Sequence, residues 1–183
     1  MKYINEFLTH FSERPTFTKV EVERFLKQSR AGRTYSKRFV SNLLQHQRII
    51  RITKGVYTLH DNAEVIGFAF SPFYYGLMYA LSYYDIIEER ANPIILTTRI
   101  VRTGTRNIMG LNAQIFRLPK NLFFGYVMVK GTEFYYPISD IEKTFLDLRY
   151  FKINLNERVM ERLKQKINRK KLKEYSKMYQ FLR

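Results

Sequence analysis

The chain contains no cysteine, which excludes a disulfide framework, thiol catalysis and thiolate metal sites, although it identifies no compartment by itself. No stretch approaches the roughly 18 uninterrupted apolar residues of a membrane span. The opening residues, Met1-Lys2-Tyr3-Ile4-Asn5-Glu6, are too polar for a secretory leader. The expectation is a soluble, cytoplasmic protein with no membrane contact. Histidine is scarce: His10, His46 and His60 fall on separate segments without ligand spacing to each other or to carboxylates, so neither a metal nor a cofactor is expected. Gly-x-Ser-x-Gly and Ser-His-Asp arrangements are absent, and no enzymatic activity is expected.

Acidic side chains are also in short supply. Against 32 Lys and Arg stand 16 Asp and Glu, a net charge of +16 over 183 residues, and such a balance points to a polyanionic partner, nucleic acid first. The excess is uneven. Residues 1–60 carry 12 basic and 4 acidic side chains, residues 61–150 carry 9 and 9, and residues 151–183 carry 11 and 3. Two basic ends therefore flank a neutral, aromatic-rich middle, which favours distinct roles over charge kept for solubility. With 45% apolar and 26% charged residues an ordinary core is expected. The fold class read from the pattern is α+β, with residues 1–62 forming one domain and residues 63–183 a second that ends in a basic helical tail, 154–183.

In the first domain, Ile4, Phe7, Leu8 and Phe11 recur at helical spacing and stop before Pro15. Thr18 and Glu21 have capping-box spacing ahead of Val22, Phe25 and Leu26, predicting a second helix that ends about Ser29-Arg30-Ala31-Gly32. A third helix is expected to open with Thr34 or Ser36 as N-cap and to turn Phe39, Val40, Leu43 and Leu44 inward. Its outward set is then Lys37, Arg38, Ser41, Asn42 and Gln45, and the segment Tyr35 to Arg51 contains no acidic residue. Arg and Lys suit guanine edges and phosphates, and Asn and Gln suit adenine. Two short strands, Arg48 to Ile52 and Val56 to Leu59, are joined by Thr53-Lys54-Gly55. Three helices and a basic hairpin form the arrangement of a winged helix-turn-helix that binds duplex DNA. Tyr35 joins the DNA-binding candidates; Arg33, Lys37, Arg51 and Lys54 are assigned to phosphates, and Arg38, Ser41, Asn42 and Gln45 to bases. Winged domains also serve as protein-interaction modules, and each of these side chains has a merely solvated alternative.

In the middle, Ser71-Pro72 has the form of an N-cap with proline at the first helical position, predicting a helix through Leu77, Ala80 and Leu81 to about Tyr84. Its aromatics, Phe73, Tyr74, Tyr75, Tyr79, Tyr83 and Tyr84, read as core or interface, with base stacking as the alternative. From Pro93 the period changes to two. Strands are expected over 94–98, 113–118, 125–129 and 132–137, pairing largely antiparallel, with Asp140 capping a short helix. Between the first two strands, Arg99, Arg102 and Arg106 surround Gly104 in a loop that suits phosphates or RNA but lacks a Walker pattern. Asp140, Glu142 and Asp147 with Lys143 admit a metal-dependent nuclease reading; without a Glu-x-Lys strand they are read as helix N-terminal and surface charges. In the tail, Leu155, Val159, Leu163 and Ile167 mark a helical stripe with Asn154 and Glu157 as a capping pair, and Leu172, Tyr175, Met178, Tyr179 and Leu182 a second. Arg169, Lys170 and Lys171 between them offer a second nucleic-acid contact or a solvated helix face.

Three segments carry a family resemblance. Ile49-Ile50-Arg51-Ile52-Thr53-Lys54-Gly55-Val56-Tyr57-Thr58-Leu59 resembles the wing, ending in basic-Gly-Val-Tyr, of AbiEi-like antitoxins of AbiE-type (type IV) toxin–antitoxin systems. Ser71-Pro72 followed by Tyr79-Ala80-Leu81-Ser82-Tyr83-Tyr84 is similar to that family's Pro…Ser-Ala-Leu helix. Ile138 to Asp147, with Glu142-Lys143-Thr144-x-x-Asp147, resembles its Glu-Arg/Lys-Thr-x-x-Asp helix. The resemblance implies a winged-helix head on an α+β domain and a transcriptional autorepressor that binds inverted repeats in its own promoter. It also implies an antitoxin opposing a nucleotidyltransferase-like toxin. A homodimer on the DNA is a separate expectation, and the sequence does not give the oligomeric state. An RNA-binding or ribosome-associated module using the 99–106 loop and the tail is the alternative class.

Overall fold

The computed structural model describes residues 3–28 and 33–182, with backbone alone at 33, 34 and 180–182. Contacts divide the chain into two compact units, Met1–Ala69 with Ile108–Gly110, and Phe70–Asn107 with Leu111–Arg183. Among the described residues no helix is long and apolar enough to cross a membrane.

The first unit is built from local signals. Helix α1 (Ile4–Phe11) buries Phe7 and Phe11, which share a face because they are four residues apart. Strand β1 (Phe17–Thr18) leads into α2 (Lys19–Gln28) through a reciprocal capping box. Glu21 accepts from the Thr18 backbone N–H (2.7 Å) and hydroxyl (2.8 Å), while the Glu21 N–H donates to Thr18 Oγ1 (3.3 Å). Helix α3 (Arg33–Gln45) is followed by β2 (Ile50–Thr53) and β3 (Val56–Thr58). Lys54-Gly55 turns the chain between them, with Gly55 at φ 78°, where a side chain would be strained. The three strands form an antiparallel sheet in the order β1-β3-β2, with Phe17 opposite Tyr57. Phe7, Phe11, Phe17, Phe39, Leu43 and Tyr57 meet in its core. Two features differ from the sequence reading. Helix α3 is already formed at Arg33, so Ser36 sits within it, 2% exposed, and is not its N-cap. Strand β1, only two residues long, has no periodicity to announce it and exists because β3 offers it an edge. The expected helix end at Ser29-Arg30-Ala31-Gly32 lies outside the described residues.

The second unit centres on a six-stranded sheet: β4 (Phe73–Tyr75), β5 (Ile94–Thr97), β6 (Gly104–Ile108), β7 (Leu111–Arg117), β8 (Tyr126–Lys130) and β9 (Tyr135–Ser139), in the order β6-β7-β5-β4-β9-β8. The expected helix from Ser71-Pro72 is overturned. Phe73, Tyr74 and Tyr75 are all buried in an interior strand, and only Met78–Tyr83 is helical, as α4. An aromatic run buried on both faces has no period that separates helix from strand, and tertiary burial decided for strand. The largely antiparallel pairing is also corrected. Strands β4 and β5 pair antiparallel, as do β8 and β9, but β4–β9 and β5–β7 are parallel, and parallel neighbours need long crossovers that hairpin signals do not report. Helices α5 (Ile141–Tyr150), α6 (Glu157–Lys166) and α7 (Arg169–Ser176) complete the unit. Helix α6 is capped by Asn156, whose side chain accepts from the Val159 N–H (2.9 Å), where the sequence reading had Asn154. Leu163 and Tyr179 lie in one core with Tyr74, Leu81, Leu96 and Leu146, so the basic tail is folded into the second unit.

Candidate nucleic-acid interface

On α3, Ser36, Phe39, Val40 and Leu43 are buried, whereas Lys37, Arg38, Ser41, Asn42 and Gln45 are exposed. Arg38, Ser41, Asn42 and Gln45 stand at i, i+3, i+4 and i+7 and thus form one stripe. At 1.5 Å rise per residue the stripe is about 10 Å long, comparable to the width of a DNA major groove, about 12 Å. Arg51 is exposed on β2 and Lys54 at the hairpin turn. Tyr35 is half-buried, its ring 6.4 Å from that of Tyr3 and 5.8 Å from that of Phe39. The Arg33 side chain lies outside the described residues. Sequence reasoning passed over Arg48, exposed in the short connection from α3 to β2. The signal for it was available, because no acidic residue occurs anywhere from Arg24 to His60.

The other cationic candidates are used differently from one another. Arg99 and Arg102 are exposed in the segment before β6, beside Ile100, which is 88% exposed. Arg106 turns back: its guanidinium donates to the Arg102 carbonyl and lies 5.8 Å from the Phe70 ring centre. At the start of α7, Arg169 and Lys170 are exposed. Lys171 instead pairs with Asp140 (3.0 Å) and Glu142 (3.4 Å). Partial burial alone would lower its pKa, but the hydrogen bond and charge of Asp140 outweigh that, so the ammonium is held above the ordinary lysine value.

The carboxylates of α5 are not surface charges, contrary to the sequence reading. Asp140, Glu142, Lys143 and Asp147 are 7, 4, 0 and 0% exposed. Asp140 caps α5 through the Lys143 N–H (2.8 Å) and accepts from the Tyr175 hydroxyl (3.0 Å). Glu142 accepts from the Asn168 N–H (2.7 Å), and Asn168 in turn caps α7. Asp147 accepts from the hydroxyls of Tyr74 (2.7 Å) and Tyr179 (2.6 Å) and from Lys143, one turn earlier on the same helix. The Lys143 ammonium lies 5.1–5.3 Å from the ring centres of Tyr74, Phe124 and Tyr179, a distance at which the ring faces attract a cation. Burial pushes Asp147 up and Lys143 down, each against the attraction of the other. Burial and then Asp147 raise Tyr74 and Tyr179, whose hydroxyls stay protonated as donors. Gly125, at φ 69°, admits this packing: a Cβ there would stand 2.8 Å from Tyr175 Cε2 and 3.0 Å from Lys143 Cβ. The i, i+4 spacing of Lys143 and Asp147 was visible in the sequence, but the tyrosines that enclose them come from β4 and the C-terminal turn.

The arrangement therefore separates two kinds of polar residue. Each buried carboxylate of α5 is occupied by partners from its own unit, and among the described residues no group of three or more His, Cys, Asp or Glu could hold a metal ion. Among the described residues, exposed cationic side chains stand on α3, the hairpin, the segment before β6 and the first turn of α7, as well as elsewhere on the surface. No protein-family model matches the chain, and no curated protein sequence matches it.

Proposed function

We propose that this protein is a sequence-specific, double-stranded-DNA-binding transcriptional repressor whose first unit acts as a winged helix-turn-helix. The observation that carries the reading is the exposed, acid-free stripe Arg38, Ser41, Asn42 and Gln45 on α3, next in the chain to a hairpin tipped by Lys54. In this reading α3 enters the major groove, where Arg38 and Asn42 read bases, while Lys37, Arg48, Arg51 and Lys54 meet phosphates. The element order α1-β1-α2-α3-β2-β3 supports it, because the core places the α3 stripe and the hairpin outside. The role is non-enzymatic, and the carboxylates of α5 serve the fold. By the resemblance of three segments, the protein is further proposed as the cytoplasmic antitoxin of an AbiE-type pair, opposing a nucleotidyltransferase-like toxin and binding an inverted repeat in its own promoter.

The test is fluorescence anisotropy on a random-sequence duplex pool, with selection of retained sequences, over a range of salt. About six neutralised phosphates give a log–log slope near −5, and an inverted repeat should be enriched. A steep slope without enrichment, or structured RNA displacing the duplex at equal salt, refutes the reading. Either result favours the second class, RNA binding through Arg99, Arg102, Arg169 and Lys170, all exposed.

A further inference from the structure

Strand β8 ends the six-stranded sheet. On its inner side the Asp140 N–H donates to the Gly125 carbonyl (2.9 Å) and the Gly131 N–H to the Phe134 carbonyl (2.9 Å). These bonds set the phase of the ladder, in which Met128 faces Pro137. Residues 125, 127, 129 and 131 thus direct their backbone groups to β9, and those of Tyr126, Met128 and Lys130 point out of the sheet. Pro137, with no N–H, is opposite one of the residues that needs none. Tyr126, Val127 and Met128 are 40, 45 and 57% exposed, and Tyr135 beside them is 61% exposed. Since alternate residues face opposite sides, this edge is apolar and open on both faces. Edge strands are ordinarily blunted by charge, proline or a covering element; β8 has one charge, Lys130, at its end.

We propose that β8 is the surface through which two copies of this chain associate, pairing antiparallel with itself about a two-fold axis at Met128. In that register Met128 faces Met128 of the second copy, Val127 faces Val129, and Tyr126 faces Lys130. All three residues with outward backbone groups then oppose one another, for six backbone hydrogen bonds, two per pair. A shift of two residues either way leaves one such pair unmade. The only charge of the strand meets a tyrosine ring and not a second ammonium, and the contact is self-complementary, as a two-fold interface requires. Charge does not oppose the approach locally, because residues 61–150 carry 9 basic and 9 acidic side chains. The inference is independent of the DNA-binding reading.

The absence of cysteine makes the test direct. In Met128→Cys the two thiols face each other with Cα atoms about 5.5 Å apart, within disulfide reach. Oxidation of the dilute full chain should give linked dimer in most molecules, while Ile100→Cys gives little. Sedimentation equilibrium of the unaltered protein should show a concentration-dependent dimer, and Met128→Lys, which sets like charges opposite across the axis, should weaken it by about tenfold or more without changing the melting curve at a dilution where both proteins are monomeric. Should Met128→Lys fail to fold, the cysteine pair decides. The proposal is overturned if the unaltered protein sediments as a monomer through the micromolar range and Met128→Cys crosslinks no better than Ile100→Cys, in which case this edge serves another protein's strand or none. A dimer that Met128→Lys leaves intact also overturns it, since the contact then lies elsewhere.

Discussion

Replacing Lys143 by Met removes the cation from an ion pair whose side chains are both 0% exposed. Asp147 would keep the Tyr179 and Tyr74 hydroxyls, at 2.6 and 2.7 Å, but no counter-charge. Unpairing a buried ion costs about 3–5 kcal/mol. Two surviving hydrogen bonds to the charge hold the loss near the lower end, about 3 kcal/mol at neutral pH. At a urea slope of about 2 kcal/mol per molar, the midpoint falls by roughly 1.5 M. The pH dependence is the sharper part. Burial already raises Asp147, and Lys143 is the strongest influence pulling it down, so the variant raises it further. A carboxyl whose folded pKa exceeds its unfolded value takes up a proton on folding. Between the unfolded value, about 3.9, and the folded one, stability therefore increases as pH falls. Lys143→Met should regain part of its deficit, relative to the unaltered protein, between pH 7.5 and pH 5. Urea unfolding followed by far-ultraviolet circular dichroism at both pH values measures this. The variant Lys143→Met/Asp147→Asn, with no charge left to strand, should be the more stable of the two at pH 7.5. A deficit below about 1 kcal/mol, the range of an exposed pair, or one equal at both pH values would refute the reasoning.

If the α3 stripe reads DNA, Arg38→Ala with Asn42→Ala should relax base preference by about 1–3 kcal/mol per lost bidentate contact, seen as a flattened profile in the duplex selection. Lys54→Ala should weaken all duplexes alike and reduce the salt slope by about 0.9; unchanged affinity in both would remove the first unit from the interface. Gly125→Ala combines a left-handed φ with contacts of 2.8 and 3.0 Å to Tyr175 and Lys143, and should cost about 3 kcal/mol in urea unfolding; a neutral outcome would mean that α5 and α7 can separate at no expense. Thr18→Ala removes one half of the capping box at α2 and should cost about 1 kcal/mol. The same loss in Glu21→Gln is not expected, because glutamine keeps an acceptor for the Thr18 N–H.

The basic excess of residues 1–60 is carried on exposed α3 and hairpin side chains, whereas part of the excess in 151–183 is turned inward, with Lys171 on Asp140 and Glu142. Net charge therefore overstates what residues 169–171 can offer a polyanion: of the three, Arg169 and Lys170 face solvent.

What the sequence determined by itself was whatever depends on neighbours within a turn or two: the inward faces of α1, α2 and α3, the Thr18–Glu21 capping box, the Lys54-Gly55 turn, Asp140 as N-cap of α5, and the outward polar stripe on α3. Periodicity and capping are local properties, and the chain alone carries them. Tertiary structure decided the rest. Phe73-Tyr74-Tyr75 became a strand because β5 and β9 lie on its two sides, and β1 because β3 had an edge to share. The parallel pairings join residues 20 and 63 positions apart, Ile94 with Gln114 and Tyr75 with Ile138. The acidic and basic residues of α5 are interior because Tyr74, Tyr175 and Tyr179, distant in the chain, supply the hydroxyls that satisfy them. A charge is placed at the surface or in the core according to partners that only the folded chain brings within hydrogen-bonding distance.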